Sequence, residues 1–238
     1  ERKMTVYEIS QTLKVDKSVV FAALNEAGKV LPPRDKKYRI IKSIPFTQQQ
    51  KEFLVGALLG NGHLFKHDNG HRFTVGHLDS EIDILLWKKN ILGNLSNVIV
   101  KHNKKPANFF RTSIHNELNR YAKMFYNNHK KIITADMINL VTPLSLAALV
   151  SDLGWVNKTF NIRFQTVRYS YEEHVILQNI FKLFAINIKI CEFSQNNETK
   201  YFLSLNKRNS LNFYKLIENI YPFPIRENPP HTSQRLYA

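Results

Sequence analysis

Two stretches of this chain follow one plan, and that repetition limits the folds open to it more than any other feature. Residues 53–64, FLVGALLGNGHL, and residues 146–155, LAALVSDLGW, each read as an apolar helix with small residues one turn apart: Gly56 and Gly60 in the first, Ala147 and Ser151 in the second. Small residues at that spacing let two helix backbones approach without a Cβ clash. Gly62 and Gly154 then end the two runs. Either stretch alone reads as half of a buried helix pair. Two copies, each followed by the same order of strands and helices, imply an internal duplication.

A chain of 238 residues, 43% hydrophobic and 12% aromatic, can bury one large core or two medium ones. Its formal net charge of +15 and pI near 9.8 set up a field that attracts polyanions. Nucleic acid is the partner whose phosphates and bases suit the many Arg, Asn, Tyr and Phe residues; a basic surface serving solubility alone is the alternative. The single cysteine, Cys191, excludes an intramolecular disulfide and reads as a small hydrophobe in an apolar strand. No run reaches the roughly 18 apolar residues of a membrane-spanning helix. The abundance of Lys, Asn, Ile and Phe fits AT-rich coding and points to an organelle, the mitochondrion first. A start on Glu1 rather than Met fits loss of a transit peptide, and fits an arbitrary start equally well.

Along the chain, Thr5 and Glu8 have capping-box spacing ahead of a helix over residues 6–13, with Val6, Ile9 and Leu13 on one face. Asp16 caps a second helix over 17–27, which Gly28 ends. This pair makes a helix-turn-helix-like module over residues 1–31, followed by a basic linker over 32–46. Thr47 opens the first motif helix. Strands over 63–67 and 71–77 meet at Asn69-Gly70, a tight-turn pair, and Phe73 and Val75 face inward. A helix over 81–92 turns Ile82, Leu85 and Leu86 inward; strands near 98–102 and 108–114 precede a helix over 116–126. After the basic joint His129-Lys130-Lys131 the order recurs. A motif helix starts at Pro143, a strand spans 160–167 and a helix 171–184; strands over 186–193 and 200–206 flank Asn196-Asn197, and a last helix spans 209–221. The prolines from Pro222 onward leave an extended tail.

These residues, together with the phrases RTSIHNELNRYAKMFY and VTPLSLAALV, resemble the single-chain, two-repeat form of the LAGLIDADG homing-endonuclease and intron-maturase family, over about residues 46–224. The resemblance implies an α+β fold. Two pseudo-symmetric αββαββα repeats, residues 47–128 and 129–224, form a curved antiparallel saddle as a monomeric pseudo-dimer, with a C-terminal tail over 225–238. The saddle face implies nucleic-acid contacts from Lys66, Arg72, Thr74, Lys101, Arg111, Arg163, Gln165, Lys189 and Lys207. In the family, an acid closing each motif helix holds the divalent metals that cleave DNA, and by position those acids fall on Asn61 and Leu153. An amide is a poor Mg²⁺ ligand and an isobutyl group is none. Asp152 lies one residue earlier, and a helical step of about 100° turns its carboxylate away from that site.

The residues therefore argue for a catalytically inactive nucleic-acid binder that needs no cofactor. RNA is favoured over DNA as partner, within an organelle ribonucleoprotein such as the mitochondrial ribosome or a splicing maturase complex. The stretch VYEISQTLKVDKSVVFAALNEAG, similar to the small N-terminal modules of bacterial translation initiation factor 2, tilts the choice toward translation. The opposing reading is an active or nicking Mg²⁺-dependent endonuclease in which Asp152 has taken over metal binding; a third is transcription regulation by the N-terminal helices. The nine histidines lack a zinc-site spacing, and no Gly-rich phosphate loop or nucleophile elbow is present.

Overall fold

The computed structural model describes residues 6–27, 44–67 and 70–227. The chain forms two compact units, residues 1–40 and 41–238. In the first, α1 (Val6–Leu13) and α2 (Lys17–Glu26) pack on each other. Asp16 accepts a hydrogen bond from the Ser18 amide at 2.8 Å and caps α2 as its sequence requires. Val20 is buried, whereas Leu13 is 62% exposed. Thr5, Gly28, residues 32–43, the Asp68-Asn69 turn and residues 228–238 lie outside the described residues.

The second unit opens with α3 (Gln48–Leu59), whose Thr47 and Gln50 exchange the two bonds of a capping box. Then come β1 (His63–His67), β2 (Gly70–Leu78), α4 (Ile82–Leu92), β3 (Val100–Lys101), β4 (Ala107–Arg111) and α5 (Leu118–Phe125). A short ladder of β5 (Tyr126–Asn127) and β6 (Lys130–Lys131) leads to α6 (Pro143–Leu153), capped by Thr142 with Pro143 in its first turn. The second repeat continues with β7 (Gly154–Val156), β8 (Ile162–Phe164), α7 (Tyr171–Leu183), β9 (Lys189–Gln195), β10 (Glu198–Ser204) and α8 (Lys207–Ile217).

The two antiparallel sheets have the same order, β1-β2-β4-β3 and β7-β8-β10-β9, so the internal twofold relation is present in the topology. Phe73, Val75 and Phe110 on one sheet and Ile162, Phe164 and Leu203 on the other are at most 3% exposed, packed in one core with the apolar faces of the helices. The β9–β10 hairpin turns at Asn196 and Asn197, both with positive φ of 53° and 61°, which Asn tolerates.

The strand expected over 160–167 is shorter, because Phe160 adopts a φ of 59° and breaks the extended run before Ile162. In compensation, β7 grows directly from the end of α6 and pairs Trp155 with Arg163. On α4 the inward face is Leu85, Lys88 and Leu92, and Leu86 is 42% exposed. A lysine thus takes the place of a leucine in the expected buried stripe.

α3 and α6 form the seam of the unit. A Cβ on Gly56 would fall inside contact distance of the Ser145 backbone, and one on Gly60 inside that of the Asp152 carboxylate. Ser145 also donates its hydroxyl to the Glu52 carbonyl at 2.7 Å, fastening the helices where they run closest.

Candidate nucleic-acid interface

The ends of the two motif helices hold a buried polar network. Asp152 is fully buried and turns into the seam rather than along the axis of α6. Its Oδ2 accepts the Asn61 backbone N–H at 3.0 Å, and its Oδ1 accepts from the Lys88 ammonium, itself 0% exposed. His77 Nε2 stands 3.3 Å from Oδ1. The network extends outward: His77 Nδ1 pairs with Glu81 at 2.9 Å, and Glu81 with Arg226 Nη1 at 2.9 Å. Burial alone would raise the Asp152 pKa, but Lys88 and His77 outweigh it and hold the carboxyl below the usual range. Loss of hydration pulls the Lys88 pKa down, with Asp152 opposing.

Cations cover the C-terminal carbonyls of both helices. Lys131 Nζ donates to Gly60 O at 3.0 Å and Gly62 O at 2.6 Å; Arg168 Nη2 donates to Gly60 O at 2.6 Å; the Tyr169 hydroxyl donates to Leu59 O at 2.8 Å. On α6, Arg226 Nη2 donates to Ser151 O. Cationic donors at these ends satisfy carbonyls left over by the helix and match its dipole. Burial, then Lys131 and Arg168, push the neighbouring His63 down to about 3, so its ring is neutral at pH 7.

This arrangement does not fit a divalent metal. Asn61 is 7% exposed and spends its side-chain N–H on the Asp152 carbonyl at 3.2 Å. Leu153 is 4% exposed and apolar. The carboxylates of this network are already matched, Asp152 by an ammonium and an N–H and Glu81 by His77 and Arg226, and the neighbouring carbonyls accept from Lys131, Arg168 and Arg226. A divalent ion would meet this much positive charge with no free anionic oxygen to offset it.

The strand register sorts the predicted contacts. Residues facing each other across antiparallel strands share a sheet face. In the first sheet, Arg72 pairs with Phe65, and Thr74 with His63 and Arg111, which places Arg72, Thr74 and Arg111 on the face away from Phe73 and Val75. Arg111 is exposed, its guanidinium 5.0 Å from the Phe109 ring centroid. Thr74 is on that face but only 1% exposed, flanked by the longer side chains of His63 and Arg111.

Two predicted contacts are corrected. Lys66 pairs with His71 and shares the face of Leu64 and Phe73, so it lies on the opposite side from Arg72. Lys101 pairs with Asn108 on the face of His77, and its ammonium contacts Asp79 at 3.3 Å. In the second sheet, Arg163 and Lys189 both pair with Ser204 and so share one face, with Lys189 exposed. Gln165 follows Arg163 by two residues; it is half-buried. Lys207 belongs to the first turn of α8, off the strands, 5.9 Å from the Phe160 ring centroid.

The sequence reading missed Lys88, Arg168 and Arg226 altogether, and saw Lys131 only as part of a basic joint. It also missed an aromatic surface around Arg163, made by Trp155, Phe193 and Phe202. Among the described residues no group of three or more His, Cys, Asp or Glu side chains is placed to hold a metal ion.

Comparison with known proteins agrees with the architecture. Protein RecA of Mycolicibacterium fallax is 33% identical over 126 residues, which are 51% of this chain and 29% of that protein. The chain thus spans under a third of this relative's length. The homing endonuclease I-WcaI bound to its DNA recognition sequence superposes with a TM-score of 0.63 at 23% identity, covering 82% of this chain and 92% of that one. Mesophilic variants of the homing endonuclease I-DmoI follow at a TM-score of 0.48 and 15% identity, covering 72% and 96%. A family model matches residues 51–213, well over half of the chain, from α3 through the second repeat. With two motif helices in a close-packed seam and two sheets of one topology, the chain belongs to the LAGLIDADG DNA endonuclease family.

Proposed function

We propose that this chain binds nucleic acid on the paired sheet faces without cleaving it, and that its partner is structured RNA in an organelle ribonucleoprotein. The observation that carries the reading is the state of the motif-helix ends. Asn61 and Leu153 stand where the family resemblance puts metal-binding acids, Asp152 is neutralised within the seam, and Lys131, Arg168 and Arg226 occupy the carbonyls. The binding half of the reading draws on the net charge of +15 and on Arg72, Arg111, Arg163 and Lys189, which share the sheet faces turned from the core. I-WcaI, which has this fold, is described bound to DNA.

RNA is favoured because ring faces around Arg163 suit unpaired bases, which RNA loops and bulges supply and a uniform duplex does not. A fixed place in a ribonucleoprotein also requires binding without strand scission. The test is an incubation of the full chain with Mg²⁺ and either duplex DNA or structured RNA, followed by both gel-shift and cleavage readouts. Retention of RNA with no cut products is the expected result. Mg²⁺-dependent cleavage that is abolished in Asp152→Asn would overturn the reading.

A further inference from the structure

The second sheet carries a groove with aromatic walls. Trp155, Arg163, Gln165, Val167, Phe193 and Phe202 line it on the face turned from the core. The Arg163 guanidinium lies 5.3 Å from the Trp155 ring centroid and 5.5 Å from that of Phe202, held between two aromatic faces. Phe193 stands edge-on to Phe202 with centroids 6.0 Å apart, and is 37% exposed. Arg163 Nε and Gln165 Oε1 are buried yet have no hydrogen-bond partner among the described residues. Donor and acceptor groups left unpaired beside exposed rings are costly unless something completes them.

From this juxtaposition of ring faces with an arginine whose Nε and a glutamine whose Oε1 have no partner among the described residues, we infer that the groove holds one unpaired nucleobase of the bound nucleic acid, guanine in preference to the others. The inference rests on the nucleic-acid reading above and specifies what that face selects. A base is flat and apolar on its faces and polar on its edge, the pattern the groove repeats. Stacking against Trp155, Phe193 or Phe202 supplies sequence-tolerant affinity. The edge supplies the preference: guanine presents O6 and N7 as adjacent acceptors to paired guanidinium donors, and Arg163 is already oriented by the two rings flanking it. Gln165 lines the same groove, and its buried Oε1 becomes an acceptor for the guanine N1–H or amino group when the side chain turns outward. A fully paired helix keeps its bases stacked internally and presents no face to the groove, so the selection is for bulged or looped bases.

The test uses the full chain and RNA hairpins that differ only in one bulged nucleotide, either G, A, C or U, beside a fully paired control and DNA counterparts. The expected order is bulged G above the other bulges, all above the paired control. 2-Aminopurine at the bulge is quenched on binding, reporting stacking directly. Trp155→Leu and Phe193→Leu each reduce the preference for bulged over paired hairpins by roughly tenfold. Arg163→Lys keeps the charge but erases the preference for G. Circular dichroism spectra matching the unsubstituted chain guard against misfolding, and the exposed Phe193 is the variant least able to disturb the sheet. Equal affinity for bulged and paired hairpins, with binding retained, overturns the base groove and leaves the nucleic-acid reading standing. Failure of the unsubstituted chain to bind any nucleic acid overturns both. DNA bulges bound as tightly as RNA bulges support the groove and count against the choice of RNA.

Discussion

The first and second repeats share sheet order, helix placement and capped motif helices, yet they diverge at the helix end and on the sheet face. Where the first helix ends in Gly60 and Asn61, the second ends in Asp152 and Leu153, and the large side chain of one fills the space the small residue of the other leaves. On the first sheet the outer face joins Arg72 and Arg111 to His63, Phe65 and Phe109; on the second it gathers Trp155, Phe193 and Phe202 around Arg163. The lesson is that duplication sets the framework, because backbone pairing and core packing demand the same pattern twice. The chemistry then departs from symmetry wherever a side chain meets the other repeat or the solvent.

Four experiments press on that contrast. The largest effect belongs to the asymmetric seam. Asp152→Ala leaves the Lys88 charge buried without a partner and is expected to cost about 3–5 kcal/mol in urea unfolding. Lys88→Met combined with Asp152→Leu removes both charges and should recover most of that loss. A single-variant cost below ~1 kcal/mol would mean the pair does not fasten the seam.

Next, Gly56→Ala forces a methyl group into the Ser145 backbone and should cost about 3 kcal/mol, whereas Ala147→Gly on the opposite helix should cost about 1 kcal/mol from helix propensity alone. Equal costs would show that the helices do not pack most closely at Gly56.

The third contrast is electrostatic and concerns His63, which the fold holds at about 3 against an ordinary value of 6.5, through burial, Lys131 and Arg168. The unfolded chain binds a proton below pH 6.5 while the folded chain does not, so stability falls as the pH drops from 6.5 toward 3, by at most about 1.4 kcal/mol per pH unit. His63→Asn should flatten that part of the profile. Asp152, held low, adds its own loss once the pH falls below its ordinary value of 3.8, where the unfolded chain takes up a proton that the folded chain refuses.

The smallest effect separates the two sheet faces in binding. Reversing the charge of Arg72 or Arg111 on one, or of Lys189 on the other, lowers the log–log salt slope by about 0.7–0.9 for each phosphate that is no longer neutralised. Lys66→Glu and Lys101→Glu, on the opposite face, leave it unchanged. A slope that responds to Lys66 as strongly as to Arg72 would reverse the face assignment.

Much of the framework was legible because it rests on local rules. Thr47 announced the first motif helix, Pro143 marked the first turn of the second, Asn-Gly placed the first hairpin, and the apolar phase of Phe73 and Val75 fixed which side of β2 meets the core. The faces of Lys66 and Lys101 were misread although the signal was at hand for one of them. Leu64 and Lys66 are two residues apart and share a side, so Leu64's phase against Phe73 settles Lys66 as well. Lys101 sits in a two-residue edge strand, too short for a period to show.

Lys88 was unreadable for a different reason. Its burial depends on a carboxylate 64 residues away, and no pattern within α4 announces such a partner. The same holds for Lys131 and Arg168, whose acceptors are carbonyls about 70 and 108 residues distant. The aromatic surface required knowing that Trp155, which follows α6, enters the sheet beside Arg163; the glycine at 154 had read only as a stop.

The meeting of Gly60 with Asp152 also decides who can partner whom. Two first repeats brought together would set glycine against glycine and leave a hollow at the crossing; two second repeats would press a pair of buried carboxylates against each other. Each half is thus mismatched with its own likeness and matched only with its sibling. What the crossing requires is therefore one copy of each half, a ratio that a single polypeptide guarantees, and separately expressed halves would assemble as a mixed couple rather than as twins.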